Sequence, residues 1–383
     1  MKILLTTPIF PPEIGGPATY TCEISRRLLE RGHDIRVVTF ADTKPKVQGV
    51  KVIPVRLNYR VLGTLRRQLR LFFTILRAAR GMDLIYAQGA VVVGFCSLIV
   101  GKLTGKPIVV KFVGDVAWEQ AVNNGETKRY LEDFLSQPEG GLHIKLIMRI
   151  QKFVFHNVHK VITPSHYLKK LLVKFYQVPD VKIEVIYNAV ALTEVKVTGE
   201  KYGQPMAITI GRLVLWKGID ELISVVPAVS QKYPDFKLVV VGDGPEYENL
   251  KKLCHDMGME QKVVFTGRLN HEETLALLKR ADVFILNSRY EGLPHTVIEA
   301  MAYQCPVIAT GLEGTIEVIE DGQNGITIEP GNTSQLSGKL LFILGNEAIK
   351  KEMVAEAYET VKRKFTWDST LGQLEQILNM VAG

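Results

Sequence analysis

AITIGRLVLWKGIDELISVVPAVSQKYPDFKLVVVG, residues 207–242, reads as strand, loop, helix and strand. AITIG (207–211) and KLVVVG (237–242) are short β-branched runs, and the stretch between them is amphipathic and long enough for a crossover helix. This unit begins mid-chain, after the same alternation has already run once. In the first half, strands are predicted at 2–7, 35–40, 51–56, 84–88, 108–113, 160–164 and 183–188, with helices such as 19–32 between them. The second half adds strands at 263–267, 282–287, 306–310 and 325–329. Two α/β series of similar size predict two doubly wound Rossmann-like domains with parallel sheets. Ligands are then expected beyond the carboxyl ends of the strands, where the domains face each other.

The chain has 383 residues, more than one core ordinarily serves, with 46% hydrophobic and 23% charged residues. No apolar run reaches the ~18 residues of a membrane-spanning helix. AVVVGFCSLIV (90–100) reads as a buried helix, and the prolines after MKILLTTPIF favour a first strand over a secretion signal. Cys22, Cys96, Cys254 and Cys305 are scattered without a CxxC spacing, which favours reduced, cytoplasmic residence and neither zinc nor disulfides. Residues 1–190 carry 28 Lys+Arg against 14 Asp+Glu, a net of +14, and residues 191–383 carry 19 against 26, a net of −7. The asymmetry suggests an anionic partner for the first half and places a boundary near 190. FTWDSTLGQLEQILNMV (365–381) reads as a terminal helix, capped by Thr366 or Asp368, with Trp367, Leu371, Leu374, Leu378 and Val381 as its stripe.

Three loops could hold an anion. TPIFPPEIGGPATY (7–20) follows the first strand and places Gly15 and Gly16 before a helix start, though Gly-Gly-Pro is also ordinary turn chemistry. GRLVLWKGIDEL (211–222) puts Arg212 and Lys217 at a sheet edge, a fork and a point charge suited to a diphosphate or, equally, two solvated cations. RYEGLPHTVIEAM (289–301) holds two carboxylates, Glu291 and Glu299. Gly292 and Pro294 forbid one helix across them, so Glu291 is expected in a loop and Glu299 one turn inside a helix starting near Thr296, and the helix N-terminus near His295–Thr296 is the third anion site. A carboxylate can accept from both hydroxyls of a sugar diol. Three anion sites with two diol acceptors describe a sugar nucleotide.

GGPATY, GR with KG at Arg212 and Lys217, VVGDGP, and EGLPHTVIE followed by AMAYQCPVIAT stand in one order along nearly the whole chain. Here the sequence resembles the retaining family-four glycosyltransferases (glycosyl transferases group 1), which have the two-domain GT-B fold. The resemblance implies domains at 1–190 (acceptor side) and 191–364 (donor nucleotide-sugar side), with 365–383 crossing back to the first. It implies that Gly15 and Gly16 meet the donor diphosphate, and that Arg212 and Lys217 stabilise its leaving charge. Glu291 would touch the transferred sugar and Glu299 the ribose. The backbone of Leu293, Pro294, His295 and Thr296 would approach the phosphates, and Arg268 and Leu269 would flank the base. The substrate would be a UDP-, GDP- or ADP-sugar, and the net +14 of the first half favours a glycan or lipid-linked acceptor in cell-envelope polysaccharide or glycolipid synthesis, the product being its hexoside. The chain lacks Asp-x-Asp, and the Arg–Lys pair can replace a cation, so neither metal nor cofactor is expected. Departures are Val113 where the family often has histidine, leaving Asp115 as the nearest polar acceptor-side residue; YNAVA for PNGVD; Gln304 for a glycine; and EGTIE for GGIPE. A sugar-nucleotide epimerase or a non-catalytic sugar-nucleotide-binding subunit would use the same motifs.

RVLGTLRRQLRLFFTILRAAR (60–80) is basic and amphipathic, with Leu62, Leu65, Leu69, Phe72, Phe73 and Leu76 along one side. Two readings remain: a stripe packed into the core beneath a solvated basic face, or attachment to an anionic membrane surface through Arg66, Arg67 and Arg70. The second suits a protein peripheral to the inner face of the plasma membrane. No nucleic-acid motif is present, so nucleic acid is not expected as a partner.

Overall fold

The computed structural model describes residues 1–13, 15–41, 47–56, 63–195 and 202–383. Leu62 of the basic segment lies outside them. Two compact units form, Met1–Ile186 with Gly372–Gly383, and Tyr187–Leu371.

The first unit runs β1 (Lys2–Thr7), α1 (Gly16–Glu30), β2 (Asp34–Phe40), β3 (Lys51–Val55), α2 (Gly63–Ala78), β4 (Leu84–Gln88), α3 (Phe95–Thr104), β5 (Ile108–Lys111), α4 (Val116–Asn123), α5 (Leu131–Ser136), α6 (Leu142–Asn157), β6 (Lys160–Thr163), α7 (His166–Lys174) and β7 (Ile183–Val185). Its seven strands are ordered β3-β2-β1-β4-β5-β6-β7, and every pairing is parallel. A parallel sheet is covered on both faces, which is why β4 and β5 are buried along their whole length. A π-helical turn, Ala90–Gly94, leads into α3. The sequence does not announce α4 and α5, which are inserted between β5 and α6.

The second unit runs β8 (Met206–Ile210), α8 (Ile219–Lys232), β9 (Lys237–Val241), α9 (Tyr247–Asp256), β10 (Val263–Gly267), α10 (His271–Arg280), β11 (Val283–Leu286), α11 (His295–Ala302), β12 (Val307–Thr310), α12 (Glu313–Ile316), β13 (Ile326–Ile328), α13 (Thr333–Gly345) and α14 (Glu347–Lys364). Its six parallel strands are ordered β10-β9-β8-β11-β12-β13, so the order reverses between β8 and β11. Both units are Rossmann-like. α15 (Trp367–Ala382) closes the chain, with Trp367, Leu371, Leu374 and Leu378 buried and Ser369 N donating to Thr366 Oγ1 at 3.3 Å. Glu375, within the part of α15 that belongs to the first unit, is 2.9 Å from His33 Nε2 and also pairs with Arg31. Among the described residues no helix is long and apolar enough to cross a membrane.

Gln304, where the resemblance expects glycine, sits at φ +59°. The turn after α11 therefore keeps its left-handed conformation despite the side chain.

Candidate donor site

The reversal of strand order in the second unit puts the loops after β8 and β11 side by side. This is the position at which doubly wound sheets bind ligands. The β8 loop makes a 3-10 turn at Leu215–Lys217 and enters α8 through Gly218. Gly218 has φ +58°, and a Cβ there would lie 2.4 Å from the Asn287 carbonyl oxygen, so only glycine lets the two loops touch. Asn287 Nδ2 donates to Gly218 O at 3.0 Å and to Glu221 Oε2 at 2.7 Å. Arg289 N donates to Trp216 O at 2.7 Å, and its guanidinium pairs with Glu221. The loops are thus laced together by backbone and by buried polar groups.

Lys217 and Glu291 meet on this scaffold. Lys217 Nζ lies 2.6 Å from Glu291 Oε1, and both side chains are largely buried. The rest of the Glu291 loop is fixed from behind, since a Cβ on Gly314 would lie 2.3 Å from Glu291 O. Arg212 is exposed on the same loop as Lys217.

Pro294 marks the start of α11, with Leu293 and Pro294 buried and His295 and Thr296 opening the helix. Glu299 lies one turn in, 12% exposed, 3.5 Å from His295 Nε2 and 3.9 Å from His271 Nδ1. Burial pushes its carboxyl up to about 7, against an opposing effect of His271. His271 is the first residue of α10, which Asn270 and Glu273 cap reciprocally. Just before it, Arg268 pairs with Asp243 at 3.2 Å and Leu269 packs on the core. The loop acid and the helix acid therefore differ sharply in environment. One is ion-paired; the other is desolvated.

The remaining predicted residues lie in the first unit. Gly15 and Gly16 stand at the start of α1 behind β1, the strand next to that sheet's own reversal. Asp115 is fully buried rather than presented to a substrate. It caps α4 by accepting from Trp118 N at 2.9 Å, and also accepts from Gln151 Nε2 at 3.0 Å and from Tyr176 Oη. Its oxygens are occupied by structural donors, and burial raises its carboxyl above the ordinary value. The apolar side expected on α2 is not the packed one: Leu71, Ile75 and Ala78 are buried, whereas Leu65, Leu69 and Phe73 are exposed. Arg66, Arg67 and Arg70 are all exposed, and the Arg67 guanidinium also lies over the buried Phe40 ring at 3.9 Å.

Sequence reasoning missed Glu221, Asn287 and Arg289, which tie the Lys217 and Glu291 loops together. Their signal is faint, because Asn287 and Arg289 are ordinary polar residues after a strand end and Glu221 is an ordinary acid in the first turn of a helix.

The family model for glycosyl transferases group 1 matches residues 192–360, and that for Glycosyltransferase Family 4 matches residues 14–194. The chain belongs to the glycosyl transferases group 1 family. This group 1 glycosyltransferase is 26% identical, over 96% of its length and 95% of the relative's, to an uncharacterized glycosyltransferase of Methanocaldococcus jannaschii. In fold it is similar to sucrose-phosphate synthase from Thermosynechococcus elongatus, with a TM-score of 0.80 at 19% identity over 99% and 98% of the two chains. It is equally similar to Anabaena HepE solved with UDP and glucose, with a TM-score of 0.80 at 19% identity over 99% and 100%. The two Rossmann-like units are therefore those of the GT-B fold.

Proposed function

We propose that this glycosyltransferase moves a hexosyl group from a nucleoside-diphosphate sugar to a hydroxyl of a glycan or lipid-linked acceptor, with retention at the anomeric carbon. The observation that carries the reading is the Lys217–Glu291 pair at 2.6 Å, held where the strand order reverses, with Glu299 one turn inside the next helix. The UDP and glucose in the Anabaena relative support a nucleotide-sugar ligand for this fold.

In this assignment the ammonium of Lys217 is oriented by Glu291 and keeps N–H donors for a diphosphate oxygen, and Arg212 adds a second cation. As the glycosidic C1–O bond breaks, its electron pair passes to the departing diphosphate. A preformed cation stabilises that charge without reorganising. Glu291 accepts from the sugar hydroxyls and Glu299 from the ribose diol. The backbone from Leu293 to Thr296 receives phosphate oxygens. Arg268 and Leu269 flank the base. No metal or cofactor is needed, because Arg212 and Lys217 supply the positive charge. The cell-envelope acceptor places the protein in the cytoplasm, peripheral to the inner face of the plasma membrane, where Arg66, Arg67 and Arg70 meet anionic lipid. Asp115 has no acceptor role in this scheme.

The test is nucleoside diphosphate release from UDP-, GDP- and ADP-sugars in EDTA, with and without glycan and lipid-linked acceptors. Release from one donor, stimulated by acceptor and unchanged by EDTA, is expected. Release that requires a divalent ion would overturn the assignment of leaving-group stabilisation to Arg212 and Lys217.

The Glu299 carboxylate makes nucleotide affinity depend on pH. A ribose diol donates to the ionised form, so affinity is full above pH 7 and weakens as Glu299 takes its proton below it. Nucleoside diphosphate binding by calorimetry is expected to weaken about tenfold between pH 8 and pH 6, since one pH unit below the pKa leaves about a tenth ionised. Glu299→Gln should bind weakly at both values, and a full pH step in that variant would assign the titration elsewhere.

A further inference from the structure

Helices α2, α3 and α6 of the first unit share one side of its sheet. The connections β3 to β4, β4 to β5 and β5 to β6 all advance in one direction across the sheet, and right-handed crossovers then leave α2, α3 and α6 on one face. α2 packs on α3 and α3 on α6, with the rings of Phe95 and Phe153 6.3 Å apart. The three helices carry eight Lys and Arg and no Asp or Glu. Their outer surface is also apolar. Leu65 is 73% exposed on α2, beside exposed Leu69 and Phe73, and Leu142 is 87% exposed on α6, beside exposed Leu146 and Phe153.

On each helix the cations stand on a neighbouring ridge. Arg66, Arg70 and Arg77 do so on α2, at i, i+4 and i+11. Lys145, Arg149 and Lys152 do so on α6, at i, i+4 and i+7. Exposed leucines and phenylalanines gathered on one surface mark an interaction site, and flanking cations on helices that carry no Asp or Glu give that surface a positive sign. An apolar ridge bordered by cations, lying parallel to a plane, is the pattern of interfacial helices.

We propose that the α2–α3–α6 face rests on an anionic lipid bilayer, with Leu65, Leu69, Phe73, Leu142, Leu146 and Phe153 at the acyl boundary and the cations against headgroup phosphates. The proposal deepens the function above and rests on its membrane-borne acceptor, to which it gives a docking platform three helices wide instead of one.

The full chain is sedimented with phosphatidylcholine vesicles and with phosphatidylcholine–phosphatidylglycerol vesicles. Binding to the mixed vesicles alone is expected. Arg66→Gln with Arg70→Gln, and separately Lys145→Gln with Arg149→Gln, should each weaken it about 10- to 30-fold, from ~1 kcal/mol per cation near the surface. Leu146→Ser with Phe153→Ser should weaken it too. Unaltered binding by the Lys145/Arg149 variant would overturn the platform, as would equal binding to neutral vesicles. A dimer seen by light scattering and lost in the Leu146/Phe153 variant would give the face to a second copy of the chain and also overturn it. Donor turnover in the variants reports that they fold. Vesicle binding by a wild-type protein that turns over no donor would instead defeat the functional reading and leave the surface standing.

Discussion

Lys217→Ala is expected to lower kcat by about 100- to 1,000-fold, the usual loss when one preorganised stabiliser of developing negative charge is removed. The structure supplies the reason such a loss falls on kcat. Lys217 is held by Glu291 at 2.6 Å on a loop that Gly218, Asn287 and Arg289 lock in place before any ligand arrives. In the proposed role, charge that builds only as the leaving group departs is met by a cation already positioned, so the ground state would lose less than the transition state. The substitution also leaves a largely buried Glu291 carboxylate without its ammonium. That costs on the order of 1–3 kcal/mol of stability, enough to move the second unit's Tm by several degrees but not to unfold it. Steady-state kinetics beside a thermal melt separates the two effects. A kcat near that of the wild type would remove Lys217 from the chemistry.

Asp115→Ala is expected to act in the opposite way, on stability and not on acceptor recognition. Its carboxylate receives Trp118 N, Gln151 Nε2 and Tyr176 Oη in a site closed to solvent. Removing it uncaps α4 at Trp118 N and takes the acceptor from Tyr176 Oη and one of the two from Gln151 Nε2, which also donates to Tyr176 Oη at 2.6 Å. Helix caps are worth ~1 kcal/mol and each stranded buried group about 1–3 kcal/mol. A loss of about 3–5 kcal/mol follows, and with it a Tm lower by roughly 6–15 °C for a unit of this size. Below the melting transition, the KM for acceptor should be unchanged. A stable variant with a raised acceptor KM would return Asp115 to the substrate-binding surface.

The contrast between these two residues shows what the sequence could and could not disclose. Lys217, Glu291 and Glu299 sit where strand ends and a Gly-Pro break put them, and such positions follow from local rules that a sequence obeys. The strands did likewise, because a parallel sheet buried on both faces needs near-continuous apolar runs. Asp115 also stands at a strand end, but whether it faces substrate or protein depends on Gln151 and Tyr176, which arrive from α6 and the segment after α7. Nothing local encodes that. α2 failed for a related reason: both of its sides carry leucine, and only the packing of Leu71, Ile75 and Ala78 on the sheet determines which is inward. Glu221 was silent because its work is done on Asn287 and Arg289, about 70 residues away.

The central claim, glycosyl transfer from a nucleotide sugar with retention, is tested most directly by following the anomeric proton of the donor sugar by NMR during turnover in EDTA. The account predicts that the donor signal gives way to one from a new glycoside of the same anomeric configuration while free nucleoside diphosphate accumulates in equal amount. A sugar that stays on its nucleotide and changes into an isomer, or a glycoside of inverted configuration, would contradict it.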